Sequence, residues 1–225
     1  MSFVTDKQFL KTQQYKSGSN LNARIQLHQQ FSTNKYDWPK WVFDHFLVAK
    51  SAHFLDLGCG TGYLWQQNID RIADDWAITL SDFSAGMVQQ AAASLGDKSN
   101  KFYFRMADAQ HLPWADESFE VVIANHMLYH VPDRSRAFSE IKRVLKPEGK
   151  LYAATNGQHH IIELTQLIQE IDPDAREEDH VDEFGLENGR EQLSHYFPEI
   201  NLYVYKDSLQ VTEVEPLLAY IQSTQ

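Results

Sequence analysis

The chain has 225 residues, 43% hydrophobic and 12% aromatic, with one cysteine and a formal net charge of −11. That supplies a core for one α/β domain with a smaller attached lobe, and the acid excess argues against a nucleic-acid backbone binder, which needs a basic footprint. No apolar run reaches the roughly 20 residues of a spanning helix, the N-terminus lacks a signal core, and a lone cysteine closes no internal disulfide, so the expectation is a cytoplasmic protein without membrane insertion.

Residues 1–14 read as weakly helical or poorly ordered. Leu21, Ile25, Leu27 and His28 suit an amphipathic helix over Leu21–Phe31, broken by Ser32-Thr33-Asn34. Trp38-Pro39 opens a second helix, with proline in the first turn, where its missing N–H costs nothing. Trp41, Val42, His45 and Phe46 would be its inner face. This cap, residues 1–48, either packs on a sheet or forms a helical lid that offers Tyr15, Arg24, His28 or Phe31 to a ligand.

The binding core is expected over 49–156. The apolar run Phe54–Leu57 is a buried strand that ends in Gly58, Gly60 and Gly62, where glycine permits positive φ and close approach. The dinucleotide fingerprint G-x-G-x-x-G differs, because Tyr63 follows here and no small residue closes the pattern. An acid, Asp56, sits inside the strand. Cys59 reads as a small residue that fits the turn.

A helix is expected over 62–72 and a strand over 77–81 that ends in Asp82. Phe83-Ser84 caps a helix over 85–95. A strand over 101–106 leads into Ala107-Asp108-Ala109. Another strand spans 119–124, and a helix over 133–145 carries Ala137, Phe138, Ile141, Val144 and Leu145 at helical spacing. Lys146-Pro147-Glu148-Gly149 stops it, and a strand follows over 150–155. Strands that alternate with helices give a parallel sheet with right-handed crossovers.

The C-terminal lobe, 157–225, is expected to complete the sheet and the substrate side of one globular domain. It opens with a helix over 161–171. The acid-rich stretch 172–191 reads as a solvated linker. Asp172-Pro-Asp-Ala-Arg-Glu177 lacks the sixth-position glycine of a calcium loop, so no metal is expected. Asn188–Phe197 reads as helix, Ile200–Tyr205 as strand and Val214–Ile221 as helix. The fold class is a Rossmann-like α/β domain, with helices on both faces of a mostly parallel sheet of about six to seven strands and the helical lid on top.

Ligands of such sheets bind beyond the carboxyl ends of the strands. The residues there are Asp56, Gly58 to Gly62, Asp82, Asp108, and Asn125 with His126. Asp82 lies near the place, about 20 residues past a glycine loop, where an acid takes both ribose hydroxyls. Asp108 is placed to accept from an adenine amino group, with Ala109 leaving room for the ring. Any one of these acids alone could be a helix cap. Three at successive strand ends, with no lysine or arginine among them, suit a nucleoside that carries positive charge.

Leu55-Asp-Leu-Gly-Cys-Gly-Thr-Gly62, Ser81-Asp-Phe-Ser-Ala-Gly-Met87, Ala107-Asp-Ala-Gln-His-Leu-Pro113 and Ile141-Lys-Arg-Val-Leu-Lys-Pro-Glu-Gly149 together resemble the class I S-adenosylmethionine-dependent methyltransferases. The pattern is most similar to the small-molecule enzymes that include the ubiquinone and menaquinone methyltransferases. The resemblance covers about 50–156. It implies S-adenosyl-L-methionine as cofactor, S-adenosyl-L-homocysteine as product and a small-molecule acceptor. By that resemblance the loop Gly58, Cys59, Gly60 and Gly62 passes under the methionine part, with Asp56 supporting its amino group. Asp82 takes the ribose, Asp108 and Ala109 the adenine, and Asn125 contributes after its strand. Phe83 and Met87 complete the core set, and Tyr15, Arg24 and Phe31 join it from the cap.

Methyl transfer from a sulfonium is an in-line displacement, so the protein mainly supplies alignment and a dry pocket. Tyr15, Phe31 and Tyr129 are candidates for an aromatic face toward the cation. His126 and His130 are candidate catalytic bases, although His130 could instead pack at the start of a helix. The rival readings are a non-catalytic module that binds the same cofactor and a nicotinamide-dependent oxidoreductase, whose fingerprint Tyr63 spoils. A monomer or homodimer is expected. Relatives of this fold usually finish with two strands after the fifth. Here the expectation is six strands, or six and a stub, in a chain shorter at this end, with Val214–Ile221 or a partner covering the open edge.

Overall fold

The structure, a computed structural model, describes residues 3–48, 51–171 and 180–224. β1 (His53–Leu57) is buried from Phe54 onward because it lies in the middle of a sheet covered on both faces. The other strands are β2 (Ala77–Asp82), β3 (Phe102–Met106), β4 (Phe119–Asn125) and β5 (Leu145–Ala154). Their spatial order is β3-β2-β1-β4-β5, and every pairing is parallel. Alternate residues of one strand serve opposite faces. Phe54, Ile78, Leu80, Val121 and Ile123 pack beneath the helices α3 (Trp38–Asp44), α4 (Tyr63–Gln66) and α5 (Ala85–Leu95). Leu55, Leu57, Val122 and Ala124 pack beneath α6 (Arg134–Val144), through Phe138, Ile141 and Val144. The chain builds outward from β1 in one direction and then returns to build in the other. The crevice between β1 and β4 is therefore where the order reverses.

Several expectations need correction. The sheet has five strands among the described residues, not about six to seven. Residues 200–205 form no ladder. Aromatic contacts draw that segment onto α3 instead: Tyr203 lies 4.6 Å from His45 and Tyr205 lies 5.4 Å from Trp41, centroid to centroid. An antiparallel bridge, Ser32 to Leu209, pins it further along. The helix expected over 62–72 stops at Gln66, and a 3₁₀ turn, Ile69–Arg71, replaces its end. Asn68 Nδ2 donates to the carbonyls of Leu64 and Pro39, which ends α4 and ties it to α3. Lys146-Pro147-Glu148-Gly149 does follow the end of α6, but it lies inside β5, where the β4 register shifts between Phe119 and Val121. Most of the expected acid-rich linker, 172–179, lies outside the described residues. Just after it Phe184 is 2% exposed and Glu183 pairs with Arg134, so the end of that stretch is packed.

The N-terminal cap starts with a 3₁₀ turn, Phe3–Thr5, and the single turn α1 (Lys7–Phe9), capped by the Asp6 carboxylate. A π-helical turn, Leu10–Gln14, and the helix α2 (Ser19–Phe31) follow. The C-terminal lobe holds α7 (Ile162–Ile171), α8 (His180–Glu183), α9 (Gly189–Ser194) and α10 (Val214–Ser223). Leu217, Tyr220 and Ile221 of α10 join Leu27 and Phe31 of α2 and Leu164 of α7 in one apolar cluster. α10 thus seats the cap; it does not cover the edge of β5 as expected. The reason is the match of its apolar stripe to that of α2, which leaves no other face to bury.

The cap meets the core at Gly86, in the first turn of α5. A Cβ there would stand 2.2 Å from the Lys16 carbonyl oxygen. Alanine is ordinarily about 1 kcal/mol better than glycine within a helix. Here the contact is backbone and must give way. Gly86→Ala is therefore expected to leave the sheet intact and free the strap around Lys16. Amide exchange should accelerate by about tenfold or more over residues 10–24 and stay unchanged in β1 and β4. Uniform protection across both regions would refute the contact.

Candidate active site

At the carboxyl end of β1 the chain turns through Gly58, Gly60 and Gly62, with φ of 69°, 54° and 75°. Cys59 N–H donates to Ser81 O at 2.9 Å and so stitches the loop to β2. The space above the glycines is limited: a Cβ on Gly58 would be 2.7 Å from Met127 Cβ, and one on Gly60 would be 2.6 Å from Leu21 Cδ2. Positive φ and close approach coincide here, so side chains are excluded twice over.

Three carboxylates surround this loop, each held differently. Asp56 is 3% exposed and accepts from the Trp65 indole N–H at 2.7 Å. Burial pushes its carboxyl up to about 7, against the indole bond and with help from the nearby Asp82 charge. Asp82 accepts from Gly60 N–H at 3.1 Å and from Ser84 N–H at 2.8 Å. Burial pushes it up to about 6 against those amides. Asp108, at the end of β3, feels burial too, but the Lys7 ammonium at 2.7 Å and the Gln110 amide hold it below the usual carboxylate range. Burial, then the charges of Asp82 and Asp56, push the Cys59 thiol up, which supports the reading of Cys59 as a fitted small residue.

Past β4 the chain adopts φ of 52° at His126, whose ring packs 5.1 Å from that of Trp38. His130 is held at both ring nitrogens. Its Nδ1 lies 2.8 Å from the Val4 carbonyl oxygen and its Nε2 2.9 Å from the Tyr15 hydroxyl. A carbonyl can only accept, so Nδ1 carries the proton and Nε2 accepts from Tyr15. Arg24 Nη1 donates to the same phenol oxygen at 3.3 Å.

Most of the residues named from the sequence line one cleft: Asp56, Gly58, Cys59, Gly60, Asp82, Phe83, Asp108, Ala109, Asn125, His126 and His130, with Tyr15 and Arg24 from the cap. Three do not. Phe31 is buried in the apolar cluster with Leu27, Leu164 and Tyr220. Met87 has no exposed surface, and Gly62 backs onto Ala91 of α5. The sequence reading missed Lys7 and Lys11, whose ammonium groups stand 5.6 and 5.7 Å from the Phe83 ring centroid. It also missed Trp65 as the partner of Asp56. No spacing rule links a weakly helical N-terminus to a strand end; the one local signal was an indole a helical turn past the glycines. Among the described residues no group of three or more His, Cys, Asp or Glu could hold a metal, and no helix is long and apolar enough to cross a membrane.

Residues 55–153 match the family model described as a methyltransferase domain. This part of the chain is similar to that family. The chain is 32% identical over 135 residues to a demethylmenaquinone methyltransferase of Lactiplantibacillus plantarum, covering 54% of this chain and 52% of that protein. It is 32% identical over 117 residues to a ubiquinone/menaquinone biosynthesis C-methyltransferase of Haemophilus ducreyi, covering 51% and 45%. The chain therefore spans about half the length of the curated relatives it matches. Among solved structures, the methyltransferase in a complex with the Haloferax volcanii Trm112 methyltransferase activator superposes with a TM-score of 0.57 at 21% identity, over 82% of this chain and 75% of that one. That likeness shows the fold.

The raised carboxyls of the domain make its stability pH-dependent. A folded pKa above the unfolded value of about 3.8 means that the native state binds a proton the unfolded state has released. The resulting stabilisation is complete below that value and is lost as pH rises through about 6 for Asp82 and about 7 for Asp56. His28, lowered by burial, acts in the opposite sense near its usual value, so the clean readout is a difference between proteins. Asp56→Asn keeps an acceptor for Trp65 and removes the charge. Urea denaturation should show this variant close to wild type at pH 5 and more stable at pH 8, by an amount on the order of 1 kcal/mol or more. A constant difference across that window would contradict the raised carboxyl.

Proposed function

We propose that the chain is an S-adenosylmethionine-dependent methyltransferase acting on a small-molecule acceptor. The observation that carries this is the pair of acceptor-only groups at successive strand ends, Asp82 after β2 and Asp108 after β3, on one side of a glycine loop with no room for a Cβ. Ionised carboxylates accept hydrogen bonds and repel phosphate. They suit hydroxyls, an amino group and a cation, which is the polar inventory of a sulfonium nucleoside. The fit is also negative: a pyrophosphate would meet Asp56 and Asp82 at the loop with no arginine paired to it.

In this reading Asp82 holds the ribose hydroxyls and Asp108 the adenine amino group, beside Ala109. Gly58 to Gly60 present backbone toward the amino-acid part, and Asn125 borders it from β4. S-adenosylmethionine, when bound, supplies both the methyl group and its leaving group. The chain's own share is to bind, orient and exclude water. Leu21 over Gly60 and Met127 over Gly58 close the site from two sides. The cap acts as a lid in this reading, its underside already folded on the loop. The acceptor would enter from the side of Trp38 and His126, under the C-terminal lobe. Two relatives are named for methylation in quinone biosynthesis, and the rings at that wall would suit an aromatic acceptor.

The test is binding. Wild-type protein should bind S-adenosyl-L-homocysteine in calorimetry and ignore NAD. Asp82→Ala, shown to be folded by its near-UV spectrum, should bind at least about tenfold more weakly, about 1.4 kcal/mol. An unchanged dissociation constant would remove Asp82 from the site. Preference for NAD would overturn the reading altogether.

A further inference from the structure

The cap contributes more than a cover. Leu10–Gln14 is a π-helical turn, closed by Tyr15 N–H donating to Leu10 O at 2.8 Å. Such turns are rare, re-aim the residues that follow, and occur frequently at functional sites. This one delivers Tyr15 into the cleft, where three contacts fix it. Its carbonyl accepts from Ser84 Oγ at 2.7 Å, two residues past Asp82, which anchors it at the cofactor end of the cleft. Its hydroxyl points its proton at His130 Nε2, 2.9 Å away. The same oxygen accepts from Arg24, whose guanidinium carbon also lies 5.9 Å from the ring centroid.

Each partner is itself held. The Val4 carbonyl fixes His130 in the tautomer that can take a proton at Nε2. Arg24 Nε donates to Ser223 Oγ at 3.1 Å, so the cation cannot swing away from the phenol. Beside Tyr15, Gln14 is 6% exposed and its Oε1 has no hydrogen-bond partner, while its Nε2 donates to Ser223 O at 3.0 Å. A buried orphan acceptor disfavours the folded state by about 1–3 kcal/mol unless a donor meets it. Gln14, Tyr15, Arg24 and His130 line the same cleft as Asp82.

We infer that Tyr15 and His130 form a proton relay for the methyl acceptor, and that the acceptor is a neutral hydroxyl compound methylated on oxygen. The inference rests on the methyltransferase reading above. The acceptor hydroxyl gives its proton to the Tyr15 oxygen as Tyr15 passes its own to His130 Nε2. The acceptor oxygen forms the new bond to the methyl carbon, and the sulfur that loses that carbon keeps the bonding pair. His130 carries the extra proton, with Nδ1–H still on Val4 O, and later returns it to water. Arg24 offsets the negative charge that passes through the phenol oxygen. Gln14 Oε1 accepts from a second polar hydrogen of the guest and so positions it.

His130 meets Tyr15 from the cap, the Val4 carbonyl, and Tyr129 at 4.5 Å between rings, and Arg24 and Tyr220 of α10 act on Tyr129 in turn. The experiment uses the whole chain, methyl-labelled S-adenosylmethionine and a low-molecular-weight cell extract as the acceptor pool. Tyr15→Phe and His130→Gln should each cut initial label transfer by about a hundredfold or more, the range of a lost general base. Both should bind S-adenosylhomocysteine within about threefold of wild type. The wild-type rate should rise with pH to a plateau, and in both variants that rise should vanish. The label should resist mild alkali and leave as methyl iodide in hydriodic acid, as an ether does. Transfer within threefold of wild type in either variant, or label on carbon, overturns the relay alone. Loss of S-adenosylhomocysteine affinity in Tyr15→Phe makes Tyr15 a cofactor contact and likewise overturns it. Wild-type protein that binds the cofactor product but labels nothing overturns the transferase reading and the relay with it.

Discussion

The structure depends on one turn that has no room for side chains. Gly58 and Gly60 are left-handed, and each is pressed by a side chain from a different part of the chain: Met127 from the far end of β4 and Leu21 from the cap. The hydrogen bond from Cys59 N–H to Ser81 O then fixes the loop to β2. The turn is thus the place where the first strand, the strand order reversal and the N-terminal cap are forced into register. A side chain at either glycine would be strained by its φ and would also push against a neighbouring element.

Around that turn the chain concentrates negative charge and satisfies it unequally. Asp56 has an indole, Asp82 has backbone amides, and Asp108 has an ammonium. Only Asp108 is held below its usual range; the other two are pushed up by burial. A donor-rich, positively charged guest would supply what the two deeper acids lack and would lower both. The Lys7–Asp108 pair has a different meaning. It is a cap-to-core contact on an acid that the proposed adenine needs, so Lys7 either moves or shares when that ring arrives. The unequal treatment marks Asp82 as the group with most to gain from a ligand and Asp108 as the one with a partner to exchange.

What was legible in the sequence follows a simple division. β1 to β4 and α5 and α6 were placed within a few residues, because strands covered on both faces read as continuous apolar runs and helices keep their spacing. Asp82 and Asp108 were found because they stand at strand ends, and Asp56 because it interrupts an apolar strand just before the glycines. The errors lie where a local preference met a tertiary competitor. Ile200–Tyr205 has strand composition, yet the rings of Trp41 and His45 took its tyrosines. Lys146-Pro147-Glu148-Gly149 has turn composition, yet β5 runs through it as an edge strand, which tolerates a proline. Phe31 was expected as an aromatic face toward a cation and Met87 as part of the cofactor set. Phe31 is taken up by the cluster with Tyr220 of α10, and Met87 is fully buried. Nothing in residue spacing reports Lys7 on Asp108, a contact across 101 positions.

The cap and the C-terminal helix have to be considered together. Ser223 accepts from Gln14 and from Arg24, so the last turn of α10 sets the position of both side chains that flank Tyr15. The apolar cluster of Leu27, Phe31, Leu164 and Tyr220 supplies the adhesion that holds α10 there. Phe31, although it never reaches the cleft, therefore acts on it at one remove, through the helix it packs against. The same logic separates the two halves of the site. In the proposed reading the cofactor half is built from strand ends, with the cap touching it at Leu21, Tyr15 and Lys7. The acceptor half is built largely from the first and last segments of the described chain, which meet at α2 and α10, at the Gln14–Ser223 bond and at the Ser32–Leu209 bridge. In that reading, residues away from Leu21 and Tyr15 can change the acceptor with the strand ends left in place, which is how one sheet can serve many acceptors.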